Sequence, residues 1–203
     1  MHSKDNLTAD IWAIKIGGSL YDSKHLIPWM NALSACSTKK IIIAGGGPFA
    51  DQVRKADEKF QLNQELSHNM AVMAMQQFSQ LLSSLCPTML LANSVSKIHQ
   101  SWNEANAVIW EPYEMVRDQC NLDKSWDITS DSLAVWLASI LGINNILLVK
   151  SAKQILKETD LVALADNKCI DPGLLELSRK FKINIHILHK TKSCDFQNLL
   201  KAV

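Results

Sequence analysis

Glycine is scarce in this 203-residue chain, with only seven, and proline scarcer still, with five. So few of either exclude collagen-like and low-complexity architectures. The five cysteines, Cys36, Cys86, Cys120, Cys169 and Cys194, form no C-x-x-C pair. An odd, scattered set argues against a disulfide framework and for reduced thiols. Charge of one sign is also missing: 21 basic against 20 acidic side chains leave a formal charge of +1. Neither nucleic acid nor an anionic membrane is expected as a partner on that balance. The start, Met1-His-Ser-Lys-Asp-Asn, has no apolar core, so no signal peptide is expected and a cytoplasmic location is. Long apolar runs are absent too. Asn69–Ser96 carries no charge but holds Gln76, Gln77, Gln80 and Pro87, and Ser132–Val149 is interrupted by Gly142, Asn144 and Asn145. Neither is the run of about 20 apolar residues that a membrane span needs.

What remains, 47% hydrophobic and 20% charged, is ordinary globular composition. Short apolar runs occur at Ile11–Ile16, Lys40–Ala44, Thr88–Ala92, Ala107–Trp110, Asn145–Val149 and Asn184–His189. They are mostly continuous rather than alternating, which marks strands buried on both faces of a mainly parallel sheet. Helical patterns lie between them. The clearest runs from about Glu65 to Leu85, with Leu66, Met70, Met73, Phe78, Leu81 and Leu85 on its apolar side, and Pro87 stops it. Another spans about Ser130–Leu141, with Ser130 or Thr129 as N-cap and Gly142 just past its end. The expected fold is therefore an α/β/α sandwich around a mainly parallel sheet, in a single domain covering residues 1–203. The polar segment Asn93–Trp126 reads as a lid, a helix-hairpin insertion or a lobe boundary.

Five of the seven glycines sit in two clusters, Gly17–Gly18 and Gly45–Gly46–Gly47, each directly after a buried strand. Glycine weakens regular structure by about 0.5–1 kcal/mol relative to alanine, so its concentration at two strand ends is informative. Such turns present backbone N–H groups and let a phosphate approach the main chain; tight strand-to-helix turns are the plainer explanation. Lys15 stands two residues before the first pair, inside an otherwise apolar run. A buried ammonium needs an anionic partner, and a polyphosphate is one, unless the side chain snorkels from an edge strand. Ser19 adds a hydroxyl donor. A third piece, Trp126-Asp-Ile-Thr-Ser-Asp-Ser-Leu-Ala134, opens a helix at whose start Thr129, Ser130 and the first-turn N–H groups can receive a phosphate. Asp131 there either opposes the helix dipole or, beside the phosphate sites, orients Lys15 or helps hold a metal. Neither a Walker P-loop nor a G-x-G-x-x-G fingerprint is present.

Lys15-Ile-Gly-Gly-Ser19, Ala44-Gly-Gly-Gly-Pro-Phe-Ala-Asp51 and Thr129-Ser-Asp-Ser-Leu-Ala134, followed by the strand Ile146–Lys150, resemble in this order the amino acid kinase superfamily. Ser67–Gln77, the Trp126-x-x-Thr-Ser-Asp131 spelling and Ile170-Asp-Pro-Gly-Leu174 look like its branch of methanofuran-biosynthesis kinases, the [5-(aminomethyl)furan-3-yl]methyl phosphate kinases. The resemblance implies the amino acid kinase fold, ATP and Mg2+ as cofactors, and conversion of a small phosphate substrate into a diphosphate. It implies an acceptor-binding lobe, 1–125, an ATP-binding lobe, 126–203, and a homo-oligomer. Lys15 and Asp131 become the catalytic residues. Lys15, Gly17, Gly18, Ser19, Thr129, Ser130, Lys150 and Ser151 become the ATP site, while Gly45, Gly46, Gly47, Phe49 and Asp51 face the acceptor. No protein metal ligand is assigned. Where many relatives read Thr-Asp-Val-Asp-Gly, this chain reads Lys150-Ser-Ala-Lys-Gln-Ile155. The family's second catalytic lysine has three candidates here: Lys150, Lys153 and Lys168.

His68, on the polar side of the long helix, either meets the acceptor or is an exposed helix-start histidine. Asp127 is suited to a substrate amine by charge. Trp126 is the tryptophan expected at the pocket, while the other tryptophans, Met70, Met73 and Met75 are expected as core filler. A phosphate-monoester acceptor, with its second pKa near 6, is already ionised at neutral pH and needs no general base. A carboxylate kinase and a non-catalytic nucleotide-binding protein are the alternatives. All of this requires that Lys15 and both glycine turns converge on one cleft.

Overall fold

The computed structural model describes residues 11–119, 128–156, 158 and 160–202. Its elements run β1 (Trp12–Ile16), α1 (Leu26–Ala35), β2 (Lys40–Ala44), α2 (Gly47–Phe60), α3 (Gln64–Leu85), β3 (Leu90–Ala92), α4 (Val95–Ser101) and β4 (Ala107–Trp110). There follow α5 (Tyr113–Val116), α6 (Ser130–Leu141), β5 (Asn145–Lys150), α7 (Leu161–Asp166), α8 (Pro172–Phe181), β6 (Asn184–His189) and α9 (Phe196–Ala202). The six strands form one sheet in the order β3-β4-β2-β1-β5-β6, every pairing parallel. Parallel neighbours need crossovers, and the helices supply them on both faces. Asn93–Trp126 thus holds a helix, a strand and a helical turn as far as it is described; its remainder, with Cys120, Trp126, Asp127 and the 125/126 boundary, lies outside the described residues.

Strand alternation sorts the core into two clusters. Ala13, Ile41, Ile43, Val108, Ile146 and Leu148 pack with Leu133, Leu137 and Leu141 of α6. Trp12, Ile14, Ile16, Ile42, Ile109, Leu147 and Val149 pack with Trp29, Met30 and Leu33 of α1 and Phe196 of α9. Successive side chains point to opposite faces, so Lys15, at the parity of Ala13, faces the α6 side. Lys150 shares that face: Lys15 is in register with Leu148, and Lys150 lies two residues further along the adjacent strand. Thr129 caps α6, its hydroxyl accepting from the Asp131 N–H, and Gly142 closes the helix at φ 67°.

The long helix is where the sequence pattern misleads. Leu66 and Met73 are close to half exposed, and Leu85 is exposed as well. Its buried face instead carries Ser67, His68, Val72, Ala74, Met75, Phe78, Ser79 and Leu82. Small residues explain the rotation: Ala74 meets Ala50 and Val53 of α2, with Met70 packed beside them. Close approach of two helices selects for small side chains, which a search for large apolar residues passes over. Met75 is therefore core and Met73 is not, while Trp12, Trp29, Trp102, Trp110 and Trp136 are all buried.

Candidate active site

The two glycine turns meet backbone to backbone. A Cβ on Gly18 would stand 2.4 Å from the Gly47 nitrogen, and one on Gly45 2.5 Å from the Gly18 nitrogen. Real Cβ atoms do not come so close, so neither position admits a side chain without moving the other turn. Gly47 adds a left-handed φ of 55° at the first residue of α2. Two of the five glycine N–H groups are spent extending the sheet: Gly17 donates to the Val149 carbonyl at 3.1 Å and Gly45 to the Ile16 carbonyl at 2.9 Å. No side chain caps α2, and its N-terminus faces the same opening as Gly18 and Ser19.

That opening is a cleft of about 360 Å³ lined by Lys15, Gly18, Ser19, Asp22, Gly46, Gly47, Pro48, Ala50, Asp51, Arg54, Thr129, Ser130, Asp131 and Lys150. Lys15 and both turns therefore converge. The Lys15 Nζ lies 2.8 Å from Asp131 Oδ1, with both side chains almost wholly buried. Lys150 pairs with the other carboxylate oxygen, Oδ2. Burial alone raises the Asp131 carboxyl, but the two ammonium groups outweigh it and hold the acid down at about 2. Lys150 is pushed below the ordinary lysine range, by burial first and by the Lys15 charge second, with Asp131 and Asp171 partly opposing. One carboxylate thus holds two cations. Among the described lining residues Arg54, Lys15 and Lys150 balance Asp22, Asp51 and Asp131.

A smaller cavity, about 50 Å³, opens beside the cleft and shares Gly46, Ala50, Arg54, Thr129 and Ser130 with it. Ala71, Val72, Met75, Ile128 and Leu133 make its walls largely apolar, with His68 among them. His68 is buried rather than on a polar outer face, because the helix turns that side toward α2 and α6.

Other expected residues are placed differently. Phe49 does not line the cleft; its ring stands edge-on to Tyr21 at 5.8 Å. Ser151 accepts a hydrogen bond from the Ser19 hydroxyl at 2.9 Å, tying the two strand ends together behind the opening. Asp51 is exposed at the rim and ion-paired with Arg54 at 2.7 Å. Of the three candidate second lysines only Lys150 lies in the cleft; Lys153 and Lys168 are exposed. Asp22 and Arg54 belong to no motif of the sequence, and Asp171 stands only within the Ile170–Leu174 stretch, with no role marked for it. Arg54 was findable, since it lies four residues after Ala50 on the α2 face that reaches the cleft.

The fold has known counterparts. The model of the amino acid kinase family matches residues 10–189. The chain is 26% identical over 187 residues to a [5-(aminomethyl)furan-3-yl]methyl phosphate kinase of Methanocaldococcus jannaschii, covering 87% of this chain and 86% of that protein. Among solved structures, a UMP kinase from Bacillus anthracis superposes with a TM-score of 0.71 at 12% identity, covering 97% of this chain and 93% of that one. UMP kinase from Ureaplasma parvum gives 0.70 at 16% identity, covering 94% and 95% of the two chains. Uridylate kinase from Archaeoglobus fulgidus gives 0.68 at 14%, covering 94% of each. No helix among the described residues is long and apolar enough to cross a membrane. With nearly its whole length matched by the family model, and with the family's fold, this chain belongs to the amino acid kinase family and is a phosphotransferase.

Proposed function

We propose that the protein transfers the γ-phosphoryl group of ATP to a phosphate monoester on a small ring, with [5-(aminomethyl)furan-3-yl]methyl phosphate of methanofuran-type cofactor assembly as acceptor. One observation carries the reading: two lysines, one buried and one largely so, and two glycine turns line one cleft, and a narrow, largely apolar cavity opens off it. Its apolar walls suit the face of a small ring held beside the phosphate-binding turns. The name of the M. jannaschii relative supplies the particular compound.

Phosphoryl transfer needs placement and charge stabilisation more than covalent help. Lys15 and Lys150, desolvated and fixed by Asp131, offset charge on the transferring oxygens. The backbone at Gly18 and Ser19 receives the donor phosphates, and the uncapped start of α2 at Gly46 and Gly47 takes the acceptor side. Thr129 and Ser130 lie between cleft and cavity. Within this reading residues 1–125 supply most of the acceptor side and 126–203 most of the nucleotide side, with Gly18 and Ser19 reaching the donor phosphates and Ile128 and Leu133 the acceptor cavity. The acceptor phosphate is ionised at neutral pH, so no side chain has to remove a proton. ATP fits the cleft by size and by its cations. Among the described residues no three His, Cys, Asp or Glu side chains cluster as a metal nest. Magnesium would thus be held mainly by the nucleotide phosphates, with Asp22 as a cleft carboxylate, and would screen phosphate charge when bound. A second copy of the chain is expected to pair through α3. This helix is about 33 Å long, bears no charged side chain from Asn69 to Leu85, and exposes Met73.

The test is incubation with ATP, Mg2+ and a panel of phosphate monoesters, followed by ADP release and 31P NMR. A diphosphate formed from the furan compound, and not from UMP, supports the assignment. A hydroxamate signal with carboxylic acids, and no diphosphate, overturns it in favour of a carboxylate kinase.

A further inference from the structure

A second buried carboxylate, Asp171, lies at the start of α6, near enough for its charge to act on Lys150 as well. It is 8% exposed and accepts five hydrogen bonds. Its Oδ2 receives the Thr129 N–H at 3.2 Å, the Thr129 hydroxyl at 2.6 Å and the Ser132 N–H at 3.1 Å. Its Oδ1 receives the Ser132 hydroxyl at 2.5 Å and the Leu174 N–H at 2.7 Å, the last making it the N-cap of α8. Two helix N-termini therefore share one carboxylate, which their positive ends favour. Of this network Thr129 lines the cleft, while Asp171, Ser132 and Leu174 do not.

We infer that Asp171 is a positioning residue for phosphoryl transfer, acting on Lys15 and Lys150 through the direction in which Asp131 points; the inference rests on the kinase reading above. Asp131 is bracketed by anchored residues: Thr129 on one side and Ser132 on the other are both tied to Asp171. The Thr129 hydroxyl has a single proton and donates it to Asp171, which leaves its lone pairs to accept from the Asp131 N–H. The N–H and hydroxyl of Ser132, the residue next to Asp131, are likewise occupied. With those donors claimed, the Asp131 carboxylate is left to the two ammonium groups. Remove the Asp171 charge and the first-turn donors of α6 compete with the lysines for Asp131. The tie also couples the site to α8, which serves the cleft without lining it.

The experiment is a double-mutant cycle of Asp171→Asn and Asp131→Asn, read by kcat, by KM for ATP and acceptor, and by thermal melting. Asp171→Asn is expected to lower kcat 10- to 100-fold with KM values changed less than threefold. In the Asp131→Asn background it is expected to add less than twofold. An equal kcat loss in both backgrounds, or a lowered melting point with unchanged kcat, overturns the inference. Should Asp171→Asn not fold, Thr129→Val and Ser132→Ala each remove part of the tie and enter the same cycle. Acetylation of Lys15 and Lys150 by acetic anhydride at pH 8, followed by mass spectrometry, needs no turnover. Several-fold faster labelling of either lysine in Asp171→Asn supports the inference even if wild type phosphorylates nothing, which would sink the kinase reading alone. Unchanged labelling of both overturns it.

Discussion

Replacing Asp131 with asparagine leaves two ammonium groups in one buried site with no carboxylate between them. Each ion pair, at about 2.8 Å for Lys15, is worth roughly 6 kcal/mol at an effective dielectric near 20 before desolvation is subtracted. Desolvation cancels much of that, and measured losses for removing one partner of a buried pair run at about 3–5 kcal/mol. In a chain of this size each kcal/mol shifts the midpoint by about 2–4 °C, so a fall of roughly 10 °C is expected by scanning fluorimetry. The cause is uncompensated charge, so adding Lys150→Met to Asp131→Asn should return part of the loss, about 1–2 kcal/mol. Tripolyphosphate should likewise raise the midpoint of Asp131→Asn, because the anion takes the carboxylate's place. A midpoint within 2 °C of wild type, or a double variant less stable than Asp131→Asn alone, would refute this account of the site.

Gly18→Ala and Gly45→Ala each drive a Cβ into the opposite turn's backbone. Each is expected to destabilise by about 1–3 kcal/mol in denaturant melts and to weaken nucleotide binding in titration calorimetry, whereas Gly142→Ala should alter stability only. Because Lys150 loses its proton below the usual lysine range, kcat should fall as pH rises toward 10, and Lys150→Arg should abolish that limb while lowering the plateau. Lys40 is fully buried with its ammonium on the Cys36 carbonyl, and desolvation brings its pKa down to about 8. Between about 8 and 10.5 the unfolded chain then binds more protons than the folded one, so stability rises with pH across that window by about 3 kcal/mol. Lys40→Met should be the more stable form at pH 7 and should lose that rise in urea melts taken from pH 7 to 10.

Much of this molecule was legible in its sequence because local constraints are read locally. Continuous apolar runs mark strands buried on both faces, and five of the six strands begin and end where those runs do or within one residue. Lys15, the glycine turns and Thr129–Asp131 stood out because each breaks a local rule: a charge in an apolar strand, glycine at strand ends, polar residues opening an apolar helix. Alternation even carries the second lysine, since Leu148 and Lys150 point to one face of β5, but only once β5 is known to pair Leu148 with Lys15 of β1. Tertiary contact decided the rest. The buried face of α3 follows from the small residues that let α2 approach, not from its large apolar ones. Asp171 sits 40 residues from Asp131 in the chain, and its partners lie across a helix pair, so no window of sequence contains the interaction. Periodicity reports which side of an element is buried; which charges face each other there depends on chain crossings that no local pattern encodes.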